Sequence, residues 1–406
     1  MNERVAVISF SPLSLDLRVL RQIRTAQQAG METVAVGFRH PTPLPEDLRE
    51  VRWLLMDQPQ ISLLRKAKRM ALLAGVRLRP SLAKRALWQP WMDDALRMLR
   101  SEANFDLIIA NDLDGLLAAG SFCRQRGAGR LLFDAHEYFF DVTSGLAEAL
   151  RTPARQRVIR DFAPDMAAMT TVCEPLAELY SQHTGVPCGV IYNAYTHASE
   201  VVADVGPSRN GTGPLRLVHH GTAARDRKLE KMIATVAKCP GKELHFYLTN
   251  LSPNYGNELR RAAESAAGRV QFHKPVHHDL IRETLASYDL GFSLIEPSSE
   301  SLRLSLPQKF FDCLSAGLGV ITGPSPSMRS IVETYGAGAV SSSFTIADVA
   351  RTLQSLTPDS VRSMRAGARR AASEICYESQ SAALLTLFRK VLGSGSAPVP
   401  ASVPAH

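Results

Sequence analysis

No stretch of about eighteen consecutive apolar residues occurs in this 406-residue chain, so nothing in it predicts a transmembrane helix. The opening residues, MNERVAVISF, carry charge and pass directly into a strand-like run. They lack the apolar h-region and small-residue cleavage site of a secretory signal, and the expected location is the cytoplasm. Cysteine is sparse: Cys123, Cys173, Cys188, Cys239, Cys313 and Cys376 form no CxxC pair and have no histidine at zinc-ligand spacing. Reduced thiols are expected, and no metal. No strand-like run is followed by GxGxxG, which argues against a dinucleotide-dependent dehydrogenase. Acidic residues are scarce in one region. Residues 61–100 hold ten lysines and arginines (Arg65, Lys66, Lys68, Arg69, Arg77, Arg79, Lys84, Arg85, Arg97, Arg100) against Asp93 and Asp94. That segment alone accounts for the formal charge of +8, and the remainder sums to zero.

What is present fits a soluble globular chain of two domains: 45% apolar and 21% charged residues over a length too great for one ordinary domain. Arg4–Phe10 is a short Val/Ile-rich run, a helical spacing of Leu17, Leu20 and Ile23 follows from Asp16 to Gly30, and Thr33–Gly37 is strand-like again. Strand, helix, strand at this spacing predicts a parallel βαβ unit. The alternation returns at 106–110, 130–135, 168–172 and 189–192, and in a second series at 215–220, 243–248, 270–273, 289–295 and 318–322. Between the series, VVADVGPSRNGTGP is rich in turn formers and reads as a linker. The predicted architecture is α/β, two tandem Rossmann-like doubly wound domains facing a cleft: a first lobe over 1–195, a linker over 196–214 and a second lobe over 215–378. A last helix is expected near 379–392, and residues 394–406 have the composition of a disordered tail. Open parallel sheets bind ligands at the carboxyl ends of their strands, so the informative residues should follow strands.

The segment SLPQKFFDCLSAGLGVIT, residues 305–322, predicts a helix opened by Pro307 and closed by Gly317. Lys309 and Asp312, three apart, project from one face near its N-terminus. A cation there opposes the helix dipole, and becomes favourable if an anion such as phosphate sits at the same place. Asp312 is then placed to accept hydrogen bonds from ribose hydroxyls. The same spacing also describes an ordinary exposed Lys–Asp pair. Upstream, Gly221 follows a strand, with Arg225, Arg227 and Lys228 soon after. Glycine lets backbone approach a ligand closely, guanidinium grips diphosphate in a fork, and fixed cations stabilise a leaving nucleoside diphosphate. A basic helix N-terminus on the surface is the plainer reading. Arg227 is the favoured diphosphate ligand.

Residues 305–322 resemble the ribose-binding signature of glycosyltransferase-B enzymes, particularly the retaining family 4 type, in its S-L-P-x-K-x-F-[ED] variant. The resemblance extends to Asp16-Leu17-Arg18-Val19 with Gly30, to the run IIANDLDGLLAAGSFCRQRGAGRLLFDAHEYFFD, to His220-Gly221 with Arg227-Lys228-Leu229-Glu230, and to the last helix, which in this family crosses back to the first lobe. It implies a donor site of Gly221, Arg227, Lys228 and Lys309 at the diphosphate and Asp312 at the ribose. It implies His136, beside Glu137, at the transferred sugar, orienting and stabilising it. Two departures stand out: Asp312 replaces the usual glutamate, and the partner glutamate falls on Leu304. That leaves Glu296 and Glu300 as candidate sugar contacts. Asp112 is positioned to orient an acceptor hydroxyl or to cap a helix. Asp112-Leu113-Asp114 also spells DxD, a metal-binding signature of the other common glycosyltransferase fold. Two α/β lobes favour the metal-free assignment.

The function implied is transfer of a sugar from a UDP- or GDP-linked donor to a hydroxyl of a glycan, lipid-linked or small-molecule acceptor, with retention and without a cofactor. A nucleotide-sugar epimerase or hydrolase, or an inactive scaffold of the same fold, are the alternatives. In segment 61–100, Arg65, Lys66, Lys68 and Arg69 interleave with leucines, and Trp88 and Trp91 follow. Together with Asp16 and Arg18 these residues are candidates for an acceptor or anionic-membrane face, a solvated helix face being the alternative. No nucleic-acid-binding motif accompanies the charge.

Overall fold

The computed structural model describes residues 3–127, 129–141, 145–195 and 213–393. Most of the expected linker, residues 196–212, and the expected tail, 394–406, lie outside the described residues. In the first lobe the strands are β1 (Arg4–Pro12), β2 (Glu32–Phe38), β3 (Arg52–Met56), β4 (Leu107–Asn111), β5 (Arg130–Asp134), β6 (Met166–Thr171) and β7 (Cys188–Val190). The second lobe holds β8 (Leu215–Thr222), β9 (Lys242–Thr249), β10 (Val270–His273), β11 (Leu290–Ser293), β12 (Gly319–Thr322) and β13 (Gly338–Val340). They form two separate sheets, β3-β2-β1-β4-β5-β6-β7 and β10-β9-β8-β11-β12-β13, every described pairing being parallel.

The strand sequences explain the arrangement. Val5, Ala6, Val7 and Ile8 are all fully buried, as a parallel strand covered on both faces requires. Their side chains alternate between two cores: Ala6 and Ile8 pack with Met92, Leu96 and Leu117, while Val5 and Val7 pack with Leu20, Ile23 and Leu387. Eleven strands match the predicted runs; β3 and β13 do not appear among them. Both are sheet edges and only partly buried; β13 is three residues long with little apolar character, and the apolar run of β3 is only the four residues Trp53–Met56, the lower limit for a strand signal.

The final helix, Tyr377–Gly393, lies on the first lobe, where Leu384, Leu387, Phe388 and Val391 join the core of helix Leu17–Gln28. Thr25 and Ser381 share a hydrogen bond of 2.7 Å there. The lobes also touch where Ser301 N–H donates to Asp141 Oδ2 at 2.8 Å and Cys173 Sγ approaches Leu304 O at 3.3 Å. No helix among the described residues is long and apolar enough to cross a membrane.

The basic segment folds into helices Leu63–Gly75, Leu82–Leu87 and Pro90–Arg100. Here the structure corrects part of the expected surface. Trp91 is a core residue, 9% exposed and packed edge-on against Phe38 at 5.6 Å. Trp88 is half-buried and donates its indole N–H to Asp93 at 3.0 Å. The reason is helical phase: the helix from Pro90 buries Trp91, Met92, Ala95, Leu96 and Leu99 as its inward stripe. Arg18 is likewise no surface residue, being 6% exposed. Arg65, Lys66 and Lys68 are exposed, whereas Arg69 turns inward.

Candidate active site

In both sheets the strand order reverses beside the first strand, between β1 and β4 and between β8 and β11. Loops leaving adjacent strands there go to opposite faces and open a crevice at the carboxyl edge. The residues assigned above to donor binding and catalysis follow the strands that flank these two crevices.

In the first lobe, Asp134 ends β5 with 1% exposure. Arg18 clamps it bidentately, Nε and Nη2 each at 2.7 Å from one oxygen. Gln22 at 2.6 Å and Thr170 at 2.7 Å complete its shell. Burial works against the charge on Asp134, but Arg18 and the His136 ring outweigh it and hold the carboxyl far below its usual range. His136 sits between two carboxylates. Its Nδ1 is 3.2 Å from Asp112 Oδ2, its Nε2 is 3.2 Å from Asp134 Oδ2, and its backbone N–H donates to Asp112 Oδ1 at 2.9 Å. Burial would lower its pKa, yet Asp112 and Asp134 raise it to about 10. His136 is therefore an imidazolium at neutral pH, donating from both nitrogens. It can orient and supply positive charge but cannot take up a proton.

Asp112 reaches His136 from a backbone φ of +54°, a conformation aspartate tolerates better than most residues but at some cost. It stands at the start of helix Asp112–Arg126, directly after β4. Glu137 beside it is exposed, with its pKa raised by partial desolvation and by Asp112. Asp16 caps helix Leu17–Gln28, accepting from Val19 N–H at 3.2 Å and from Ser11 Oγ at 2.6 Å. Arg69 lies near Asp114 on the same rim, where burial has pushed the Asp114 carboxyl up to about 6.

In the second lobe, Gly221 adopts φ +108°, and a Cβ there would meet Lys309 Cε and Nζ at 3.5 Å. Lys309 opens helix Gln308–Ser315. Its Nζ lies 3.3 Å from His219 Nε2, while His219 Nδ1 lies 2.8 Å from Phe292 O. That carbonyl can only accept, so Nδ1 carries the proton and Nε2 is left to accept from Lys309. Burial and nearby Arg227 lower the Lys309 pKa to about 8. Arg227 is half-buried in the turn Arg225–Arg227, where its backbone N–H donates to Ala224 O at 3.0 Å, and its guanidinium makes no hydrogen bond or salt bridge with a described residue. Its neighbour Arg225 is paired bidentately with Glu258 at 2.5 and 2.6 Å, which separates the two arginines in role. Asp312 is 3% exposed, accepts from Gln308 at 3.0 Å and has His220 at 3.5 Å. Burial raises its pKa to about 6, against the pull of Gln308 and Arg21.

Two other assigned residues pair with each other. Lys228 donates to Glu296 at 2.8 Å, and Lys231 shares the same carboxylate at 2.5 Å. Glu300 is held by Arg303 of its own short helix at 2.7 Å. Residues that sequence reasoning did not assign include Gln22 and Thr170 around Asp134, and His219 behind Lys309. The one local signal was adjacency: His219 precedes His220-Gly221, and Asp134 lies in the D-A-H-E run.

No family model matches the chain, and no curated protein matches it in sequence. Solved structures do match along nearly its whole length. Sucrose-phosphate synthase from Thermosynechococcus elongatus aligns with a TM-score of 0.71 at 15% identity, covering 97% of this chain and 100% of the other. Anabaena HepE in complex with UDP and glucose aligns with a TM-score of 0.66 at 14% identity, covering 97% and 100%. The α,α-trehalose 6-phosphate synthase of Burkholderia multivorans does so with 0.66 at 10% identity, covering 98% and 100%. The architecture common to them is two Rossmann-like lobes across a cleft, and this chain has that fold, glycosyltransferase-B.

Proposed function

We propose that this protein is a nucleotide-sugar-dependent glycosyltransferase that moves a hexosyl-type sugar from a UDP- or GDP-linked donor to an acceptor hydroxyl, with retention and without a metal. The observation that carries the reading is a pair of cations with no salt-bridge partner among the described residues. Lys309 and Arg227 converge beside the opened backbone of Gly221, close enough for Arg227 to depress the lysine pKa. Two like charges brought together, one of them desolvated at a helix N-terminus, are unfavourable for folding alone and favourable once a diphosphate lies between them. Asp312, next along the same helix, is the ribose ligand, and the Lys228–Glu296 pair flanks the diphosphate and the sugar. Glu300 is a second candidate at the sugar.

In the reaction the bond between the anomeric carbon and the leaving phosphate oxygen breaks, and the acceptor oxygen bonds the same face of that carbon. The acceptor proton passes to the leaving phosphate, whose growing charge Lys309 and Arg227 stabilise. Across the cleft, the His136 imidazolium, fixed by Asp112 and Asp134, holds the transferred sugar. It is not the base, because it already carries both protons. The acceptor is a glycan, a lipid-linked molecule or a small molecule, and the working compartment is the cytoplasm. The likeness to HepE, which is seen with UDP and glucose, makes UDP the first nucleotide to try.

The test is thermal-shift and calorimetric screening of UDP, GDP and ADP and their sugars, followed by turnover with and without acceptors. A nucleoside diphosphate should bind, and its sugar should be transferred with an unchanged anomeric configuration by NMR and undiminished rate in a chelator. Donor turnover without acceptor would instead indicate an epimerase or hydrolase, and binding without any transfer would indicate a non-catalytic partner.

A further inference from the structure

Helix Leu63–Gly75 is apolar on two sides. Its inner side, with Met70 and Leu73 leading to Val76, packs against the first lobe. Its outer side carries Leu64, Ala67, Ala71 and Ala74, continued by Leu78 in the following turn, all exposed. Those positions recur at alternating spacings of three and four, a seam that normally faces a partner. Leu63 and Leu64 are each 81% exposed and Leu78 is 88% exposed. They are three of the five large apolar side chains that stand exposed among the described residues. The seam runs the length of the helix, on the order of 20 Å.

Its surroundings select the occupant. From Gln58 to Met92 the chain has eight lysines and arginines and not one carboxylate. Arg65, Lys66 and Lys68 flank the leucines directly and are exposed. A partner helix of ordinary composition would bring charges of both signs, whereas an anionic lipid surface offers uniform negative potential to the cations and acyl chains to the leucines. Nucleic acid would use the charge but leave the leucines in water. We propose that this face docks the first lobe onto an anionic bilayer, with Leu63, Leu64 and Leu78 entering the headgroup–acyl boundary. Arg69, one to two turns along the same helix from the leucines, lies near Asp114 in the first turn of helix Asp112–Arg126, which follows β4, so docking holds that side of the first lobe beside the lipid headgroups.

Sedimentation with phosphatidylcholine vesicles, alone or with phosphatidylglycerol, tests it on the full chain. Binding should require phosphatidylglycerol and fall as salt is raised. Replacing Arg65, Lys66 and Lys68 by glutamine should weaken it about a hundred-fold, at about five-fold per cation. The double variant Leu63→Gln/Leu64→Gln should weaken it by at least about ten-fold. Its melting temperature and nucleotide affinity should stay as in the parent, since both side chains are solvent-exposed and lie outside the second lobe. Failure to bind anionic vesicles, equal binding to neutral ones, or anionic binding indifferent to the leucine pair would each overturn the proposal. The last outcome would mark a simple polyanion surface such as one for nucleic acid.

Discussion

Lys309 couples diphosphate binding to a proton. In the free protein its ammonium is half-buried, has His219 as its hydrogen-bond partner and titrates at about 8, burial and Arg227 being the causes. A bound diphosphate would supply the missing counter-charge and restore the ordinary lysine range. Between those two pKa values the complex holds more protons than the free protein, so affinity must fall as pH rises. From about pH 7 to about pH 9 the protonated fraction of a group titrating near 8 drops about ten-fold, and the dissociation constant for UDP should rise by the same factor. Calorimetry at about pH 8.5, in buffers of differing ionisation enthalpy, should register uptake of about three quarters of a proton per nucleotide. Lys309→Met removes the charge while keeping much of the volume. It should weaken binding by about 1.5–3 kcal/mol, the range for a charge-assisted hydrogen bond, and should abolish both the lysine-linked proton uptake and the associated pH slope. The variant also supplies the baseline for titration of the ligand itself. A parent protein with flat affinity over this range, or a Lys309→Met variant that binds normally, would refute the reasoning.

Gly221→Ala should weaken nucleotide binding, because φ +108° strains any side chain and relief of that strain would move the backbone away from Lys309, although the new Cβ itself would stand at an ordinary contact distance of 3.5 Å; the strain is about 1–3 kcal/mol, read by calorimetry against the parent. Asp134→Asn should destabilise the first lobe by about 3–5 kcal/mol in urea unfolding, since it strands the buried Arg18 charge. The same change should lower the His136 pKa, measurable by NMR, because one of the two carboxylates that raise it is gone. Acid should destabilise the second lobe through His245, whose pKa is lowered from 6.5 to about 4, mainly by burial. Unfolded histidine binds its proton first, so stability is full above about 6.5 and is lost as pH falls toward 4; His245→Gln should flatten that part of the denaturation profile.

Local sequence determined the lobes and their order. Runs such as Val5–Ile8 and Leu107–Ala110 are apolar without interruption, and alternating them with three-to-four spacings admits little besides parallel α/β sheets. The same local reading placed Gly221 and His136 at the carboxyl ends of strands, where an open sheet puts its ligands, and Lys309 and Asp312 in the first half of a helix; Gly221 lies within the last two residues of β8. Partners were beyond it. Arg18 finds Asp134 across 116 positions, and Lys228 finds Glu296 across 68, so which cation is spent on a carboxylate and which is left for a ligand depends on pairings no window reveals. Arg225 and Arg227 are two residues apart and alike in sequence, yet only Arg225 meets Glu258. Segment 61–100 shows the same division. Its charge was legible in the composition, but which apolar side of each helix is covered was settled by packing, which drew Trp91 into the core against Phe38 and left Leu63 and Leu64 in water. Periodicity specifies that a helix has an apolar face, and only the neighbouring elements decide whether that face is buried.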